Sequence, residues 1–134
     1  MNSIKFTAVA LAAAFGLNAA LAQDTKPAAP ALPPPSTKTG VTYATDIKPI
    51  FDVSCGKCHG AQRPSGGIVL TSIEGVLKGG KDGKILTVGD STKGSLVKSV
   101  AHIGDPQSFM PKRAKALTAE QVGLIRAWID QGAK

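Results

Sequence analysis

The chain has 134 residues and a formal net charge of +7 at pH 7, because 16 Lys and Arg residues outnumber 9 Asp and Glu residues. This length predicts one small domain, and the positive charge suits an acidic protein partner or a membrane surface without specifying a fold. A folded part of fewer than ~100 residues excludes a large core made of side chains alone.

The first 22 residues differ from the rest of the chain. Lys5 gives a short basic start, Phe6 to Leu17 is an apolar run, and Ala20 to Ala22 is an A-x-A-like cleavage site. This pattern is typical of a secretory signal peptide, and the apolar run is too short for a membrane span of ~20 residues. We predict cleavage after Ala22, export to the periplasm, no stable membrane insertion and no nucleic-acid partner.

Residues 23–40 are rich in proline and alanine, with Pro33 to Pro35 as the densest run. They have neither helical nor strand periodicity, so we predict an extended and flexible linker. The predicted folded domain is residues 41–134.

The first helix of this domain is predicted to begin near Asp46, with that residue as its N-cap and Pro49 in the first turn. Ile47, Ile50 and Phe51 recur at helical spacing, so one apolar face leads to Cys55 at the helix end.

That helix leads into Cys55-Gly56-Lys57-Cys58-His59, which has the C-x-x-C-H spacing of a c-type haem attachment site. Thiols three positions apart can bond the two vinyl groups of one porphyrin edge, and the adjacent His59 imidazole then supplies an axial iron ligand. Two haem-free alternatives remain open. Cys55, Cys58, His59 and His102 form a nominal zinc set, and a thioredoxin-like C-x-x-C would follow a strand.

Shorter elements follow the motif. Ser72 is predicted to cap a short helix that runs through Leu77. An extended segment is predicted from Ile85 to Val88. A third helix is predicted from Ser95 to His102, and Gly104-Asp105-Pro106 ends it.

The last helix has the strongest end signals. Thr118 and Gln121 are spaced as a capping box, and Gly132 is a C-cap signal. Its wide apolar stripe predicts contact with both the first helix and the haem, with Trp128 as a core residue. The stripe consists of Val122, Leu124, Ile125, Trp128 and Ile129.

Removal of the signal peptide leaves Met110 as the only methionine. Pro111 restricts the backbone beside it, and His/Met ligation occurs in cytochromes c, where it raises the reduction potential. We predict His59 and Met110 as the two iron ligands. The competing sixth ligand is His102, which otherwise lies near the surface or behind the ligands.

From Asp46 to Lys134 the chain resembles the planctomycete-type cytochrome c domain, within the class I cytochromes c. The matching stretches are Asp46 to Phe51, Cys55 to Gly60, Ser95 to Val97, Met110-Pro111, Leu117 to Gln121 and Trp128 to Ala133. The resemblance implies a small all-α domain wrapped around one haem c. It also implies thioether bonds at Cys55 and Cys58 and iron held by His59 and Met110.

The predicted function is electron transfer by a soluble periplasmic monohaem cytochrome, because two protein ligands leave no open iron site for catalysis. Its expected partners are redox proteins, acidic or membrane-bound, steered by a basic rim of Lys57, Lys112, Arg113 and Lys115. The alternative is a haem enzyme or sensor subunit in which an exogenous ligand displaces Met110.

Overall fold

The computed structural model describes residues 31–134, so the predicted signal peptide and the first part of the predicted linker lie outside the described residues. Within this range there is no strand, only two isolated bridges, and the predicted all-α class is confirmed. The helices are a π-helical segment Tyr43–Ile47, α1 Lys48–Ser54, α2 Gly56–His59, α3 Ile73–Lys78, α4 Leu96–Val100 and α5 Ala119–Asp130, with 3-10 turns at Ser65–Gly67 and Pro106–Ser108.

The first helical region begins earlier than predicted. Thr42 is the N-cap, and its side-chain oxygen accepts from the Thr45 amide at 3.4 Å. The Asp46 carboxylate instead accepts from the Thr42 amide at 3.0 Å and pairs with Lys38. The prediction of Asp46 as N-cap was therefore wrong, because the turn that contains Asp46 is already helical and its carboxylate reaches back over that turn.

The core lies where this first helical region packs against α5. The Tyr43 ring contacts Phe51 and Trp128, with centroid distances of 6.5 and 5.9 Å. The chain end returns to the same place, since the Lys134 carbonyl accepts from the Tyr43 amide and from Trp128 Nε1, both at 2.8 Å. Contact between the α5 stripe and the first helix is thus confirmed.

Both ends of α5 agree with the predictions from their local sequence. The Thr118 hydroxyl accepts from the Gln121 amide at 3.2 Å, and the Gln121 side chain accepts from the Thr118 amide at 3.1 Å, which completes the capping box. Gly132 has a φ of 102°, in the region that favours glycine.

The middle of the chain is more irregular than predicted. Ser72 caps α3 as expected, accepting from the Gly75 amide at 3.1 Å. Residues 85–88 form no strand; Thr87 makes one isolated bridge with Asp90. Helix α4 ends at Val100, and His102 lies beyond it with a φ of 53°. The prediction that His102 belongs to the third helix was therefore wrong.

Residues 31–40 form an extended strap that lies along α5. The Ser36 amide donates to the Gly123 carbonyl at 2.9 Å, and Arg126 donates to the Pro33 carbonyl. Gln131 donates to the Lys38 carbonyl at 2.7 Å. The part of the proline-rich segment that the structure describes is therefore packed on the helical domain.

None of the helices within residues 31–134 has the length and apolar character that a membrane crossing requires.

Candidate functional site

The cysteine motif occupies a sharp joint between α1 and α2. Cys55 has φ −129° and ψ −27°, so the α1 geometry stops there. Its carbonyl then accepts from the Cys58 amide at 3.0 Å and from the His59 amide at 2.9 Å. This single turn directs both cysteines and the histidine toward one cavity.

The turn leaves no room for a larger residue after the histidine. A Cβ atom at Gly60 would lie 2.8 Å from the Gly56 carbonyl oxygen, closer than real Cβ contacts. Glycine at position 60 therefore allows the backbone to turn away from α2 close to the Gly56 carbonyl.

The cavity has a volume of about 370 Å³, within the range of small-molecule and cofactor sites. Its walls expose mainly apolar atoms. They come from the motif, the 65–70 segment, α4 and the loop before α5. The lining residues are Ser54, Cys55, Lys57, Cys58, His59, Ser65, Ile68, Leu70, Ile85, Ser95, Leu96, Ser99, Val100, Met110, Pro111 and Lys112.

His59 is held in one orientation. Only 8% of its surface is exposed, and its Nδ1 lies 3.1 Å from the Ile68 carbonyl oxygen. A carbonyl oxygen can only accept, so in the neutral ring Nδ1 carries the hydrogen and Nε2 keeps the lone pair that a metal ligand needs. A backbone carbonyl on the remote ring nitrogen is the usual support of a metal-ligating histidine.

The segment beside His59 also holds its backbone. The Leu70 amide donates to the His59 carbonyl at 2.8 Å, so the apolar run Ile68 to Leu70 supports the histidine through ring and main chain together. Sequence reasoning did not find this role, since both contacts are made by peptide groups that any residue carries.

Met110 reaches the same cavity from the loop between α4 and α5. Its amide donates to the Ser99 carbonyl at 3.0 Å, and its own carbonyl accepts from His102 Nε2 at 3.0 Å. The Met110–Pro111 peptide bond is cis. The cavity therefore brings together the four residues that the sequence predicted, Cys55, Cys58, His59 and Met110.

His102, the competing ligand, is not among the described residues that line the cavity. Its ring stacks on Phe109, with 4.7 Å between centroids and 5° between planes, and its Nε2 is engaged with the Met110 backbone. The structure places this histidine behind the Met110 loop.

The two haem-free alternatives lack their structural context. Residues 31–134 contain no group of three or more His, Cys, Asp and Glu side chains placed to hold a metal ion. The segment before the cysteine pair is α1, Lys48–Ser54, whereas a thioredoxin-like motif would follow a strand.

The two thiols have different environments. Cys55 is buried and Cys58 is exposed, and both are free cysteines. Burial, with a smaller effect of Cys58, raises the pKa of the Cys55 thiol to about 11. Without another bond to its sulfur, Cys55 is therefore a protonated thiol at neutral pH.

Helix α5 supports the site from a distance. Within the part of the chain that the structure describes, no α5 side chain lines the cavity, so the predicted direct contact of its stripe with the haem has no counterpart there. Trp128 is fully buried beside Tyr43, which agrees with its predicted role in the core.

The mouth of the cavity is basic. Lys57 and Lys112 line it, and no described lining residue is acidic. Lys112 also donates to the Gln107 carbonyl. Arg113 and Lys115 follow on the exposed loop.

A c-type haem fits this donor set. Two unpaired thiols at C-x-x-C spacing, an imidazole with Nε2 free and a thioether sulfur all border one largely apolar cavity, and these are the groups that hold haem in cytochromes c. The class defined by this site is that of the c-type cytochromes.

The family model described as Planctomycete cytochrome C matches residues 55–114. The match begins at Cys55 and includes Met110, and it confirms the resemblance: the chain carries a planctomycete-type cytochrome c domain. Comparison with curated proteins and with solved structures found no match. A cytochrome c domain over residues 55–114 implies covalently bound haem c and redox partners in general.

Proposed function

We propose that this protein is an exported monohaem cytochrome that carries single electrons between redox partners in the periplasm. One haem c is attached through Cys55 and Cys58, and its iron is ligated by His59 and Met110. The observation that carries the proposal is the convergence of these four side chains on one cavity. The sequence contains two cysteines, which is the number that one such haem requires.

Haem c, when bound, supplies a one-electron redox centre whose potential depends on ligation, burial and hydrogen bonding. The protein contributes an imidazole of fixed orientation, since the Ile68 carbonyl oxygen accepts a hydrogen bond from His59 Nδ1. It contributes aliphatic walls that exclude water, formed by residues such as Leu70, Leu96 and Val100. With His59 and Met110 as its two protein ligands, the haem iron would have no open position for a substrate, which would favour electron transfer over catalysis.

The basic mouth favours an acidic surface on the partner. Lys57 and Lys112 border the cavity, so a negatively charged partner would be steered toward the haem rather than toward another face of the domain. A membrane-bound redox complex with an acidic docking surface meets the same requirement.

The first test is a pyridine haemochrome spectrum of the purified protein, with single Cys55→Ala and Cys58→Ala variants. The native protein should give the spectrum of two thioether links and each variant that of one link. A native protein without a haemochrome spectrum would overturn the proposal.

The second test addresses the iron ligands. The native ferric protein should show the weak near-infrared Met-to-iron band, Met110→Ala should abolish it, and Val100→Ala should retain it as a matched change in the cavity wall. If His102→Ala loses low-spin ligation and Met110→Ala keeps it, the sixth ligand is His102 instead.

Carbon monoxide binding by the same protein distinguishes electron transfer from the enzyme or sensor alternative. We expect the reduced protein to bind carbon monoxide at neutral pH only weakly, because hydrogen bonds at both the amide and the carbonyl of Met110 hold its backbone in place. Ready binding would favour a displaceable Met110.

A further inference from the structure

His102 makes a directional contact with the loop that carries Met110. Its Nε2 lies 3.0 Å from the Met110 carbonyl oxygen, and since a carbonyl only accepts, Nε2 must carry the hydrogen and donate. The parallel stack on Phe109 holds the imidazole plane. The ring is therefore both oriented and committed to one acceptor.

The second hydrogen bond to Met110 comes from the same part of the fold. The Met110 amide donates to the Ser99 carbonyl in α4 at 3.0 Å, and His102 follows α4 by two residues. Both peptide groups of Met110 are thus attached to the end of one helix. At the far end of the loop, the Leu117 amide donates to the Val100 carbonyl at 2.9 Å.

The backbone of His102 adapts to this contact. Its φ of 53° is in the left-handed region, which is uncommon for residues other than glycine and is enriched in histidine, asparagine and aspartate. This conformation ends α4 and brings the imidazole to the Met110 carbonyl. The side chain does not line the cavity, so its contact with the site runs through the Met110 backbone.

We propose that His102 is a positioning residue, which holds Met110 at the cavity wall by donating from Nε2 to the Met110 carbonyl. The inference rests on the proposed ligation by Met110 and deepens it. Its consequence is kinetic as well as geometric, because Ser99 and His102 hold the two peptide groups of Met110 and so limit the backbone movement that would help its sulfur leave the iron.

Two variants of the haem-loaded protein separate the hydrogen bond from the stack. His102→Phe keeps an aromatic ring against Phe109 and removes the donor, whereas His102→Gln keeps a donor near the Nε2 position and removes the ring. Both replace histidine at the same left-handed backbone position, so the backbone cost is similar in both.

The measurement is the rate at which imidazole binds to the ferric protein, at concentrations high enough that dissociation of Met110 limits the rate. His102→Phe should raise this rate about fivefold, the equivalent of one neutral hydrogen bond of ~1 kcal/mol. His102→Gln should stay within about twofold of the native rate, because its amide can still donate most of that hydrogen bond. Equal rates in all three proteins, or equal acceleration in both variants, would overturn the proposal.

A measurement on the native protein covers the case in which a variant does not fold. Long-range proton–nitrogen correlation spectra of the reduced protein report which imidazole nitrogen of His102 is protonated. Protonated Nε2 supports the proposal, and a neutral ring protonated on Nδ1 overturns it.

The two proposals fail differently. A native protein that lacks the near-infrared band removes ligation by Met110, and the positioning role falls with it. A native protein that has the band, together with a His102→Phe variant that exchanges imidazole at the native rate, removes only the role of His102.

Discussion

Gly123 lies inside α5, where an alanine would ordinarily stabilise the helix by ~1 kcal/mol. Here a Cβ atom at position 123 would lie 2.9 Å from the Pro34 carbonyl oxygen and 3.4 Å from the Ser36 nitrogen. Both atoms belong to the strap along α5. Gly123→Ala must therefore displace backbone atoms of the strap, which have less freedom to adjust than a flexible side chain.

The expected effect follows from the contacts that the displaced strap would lose. The hydrogen bonds from Ser36 to Gly123 and from Arg126 to Pro33 contribute ~1 kcal/mol each, and Leu32 packs partly against the core. Set against the gain in helix propensity, Gly123→Ala should lower the free energy of unfolding of the full chain by ~1 kcal/mol.

Deletion of residues 31–38 should reverse the sign of the effect of Gly123→Ala on the free energy of unfolding. Without the strap nothing opposes the methyl group, so Gly123→Ala should raise the free energy of unfolding by ~1 kcal/mol in that background. The coupling between the two changes is then ~2 kcal/mol, well above the ~0.5 kcal/mol by which independent sites depart from additivity.

The assay is urea denaturation of the four haem-loaded proteins, followed by far-ultraviolet circular dichroism. Glu120→Ala, at an exposed position in the first turn of α5, is the control and should change both backgrounds equally. If Gly123→Ala stabilises the full chain as much as the deleted chain, the strap does not pack on α5, and residues 23–40 form the flexible linker that their composition predicts.

Three further predictions concern the haem, the mouth of the cavity and acid stability. A double Cys55→Ala/Cys58→Ala variant should lose cooperative unfolding, because the apolar cavity of about 370 Å³ then lacks the covalently held group that fills it; native-like cooperative unfolding in urea would contradict this. Lys112→Glu should slow reduction of ferricyanide-type anions and weaken the ionic-strength dependence of that rate. The effect should be larger than that of Lys78→Glu, which makes the same charge change at an exposed α3 position; equal effects of the two changes would argue against steering by the basic mouth. Hydrogen bonds from Thr92 and Lys93 lower the pKa of Asp90 from 3.8 to about 2, so its stabilising contribution is complete above pH 3.8 and is lost as the pH falls toward 2; Asp90→Asn should flatten the fall in stability over that window, and an unchanged acid-denaturation curve would refute the assignment.

Several features could be predicted from the sequence because they depend on neighbours within one or two turns. The Thr118 and Gln121 capping box needs only residues three apart, and the α3 cap at Ser72 is equally local. The C-x-x-C-H spacing identifies its chemistry without a fold. Met110 could be selected as a candidate because no other methionine remains after the predicted signal peptide.

Other features were invisible because their partners are distant peptide groups or surfaces. Asp46 satisfies the local rule for an N-cap, but packing of Tyr43 against Trp128 extends the helix by a turn and makes Thr42 the cap. Residues 85–88 are β-branched or apolar and suit a strand, yet no neighbouring strand exists in residues 31–134 to pair with them.

The sequence by itself determined the helical class, the cysteine motif and the identity of the candidate ligands, since spacing and composition specify these. Only the tertiary structure decided how they are held. The Ile68 carbonyl accepts a hydrogen bond from His59, and the Met110 carbonyl accepts one from His102. Both acceptors are backbone oxygens, which are the same in every residue. Their partners depend on where the folded chain places them, and no side-chain pattern encodes that placement directly.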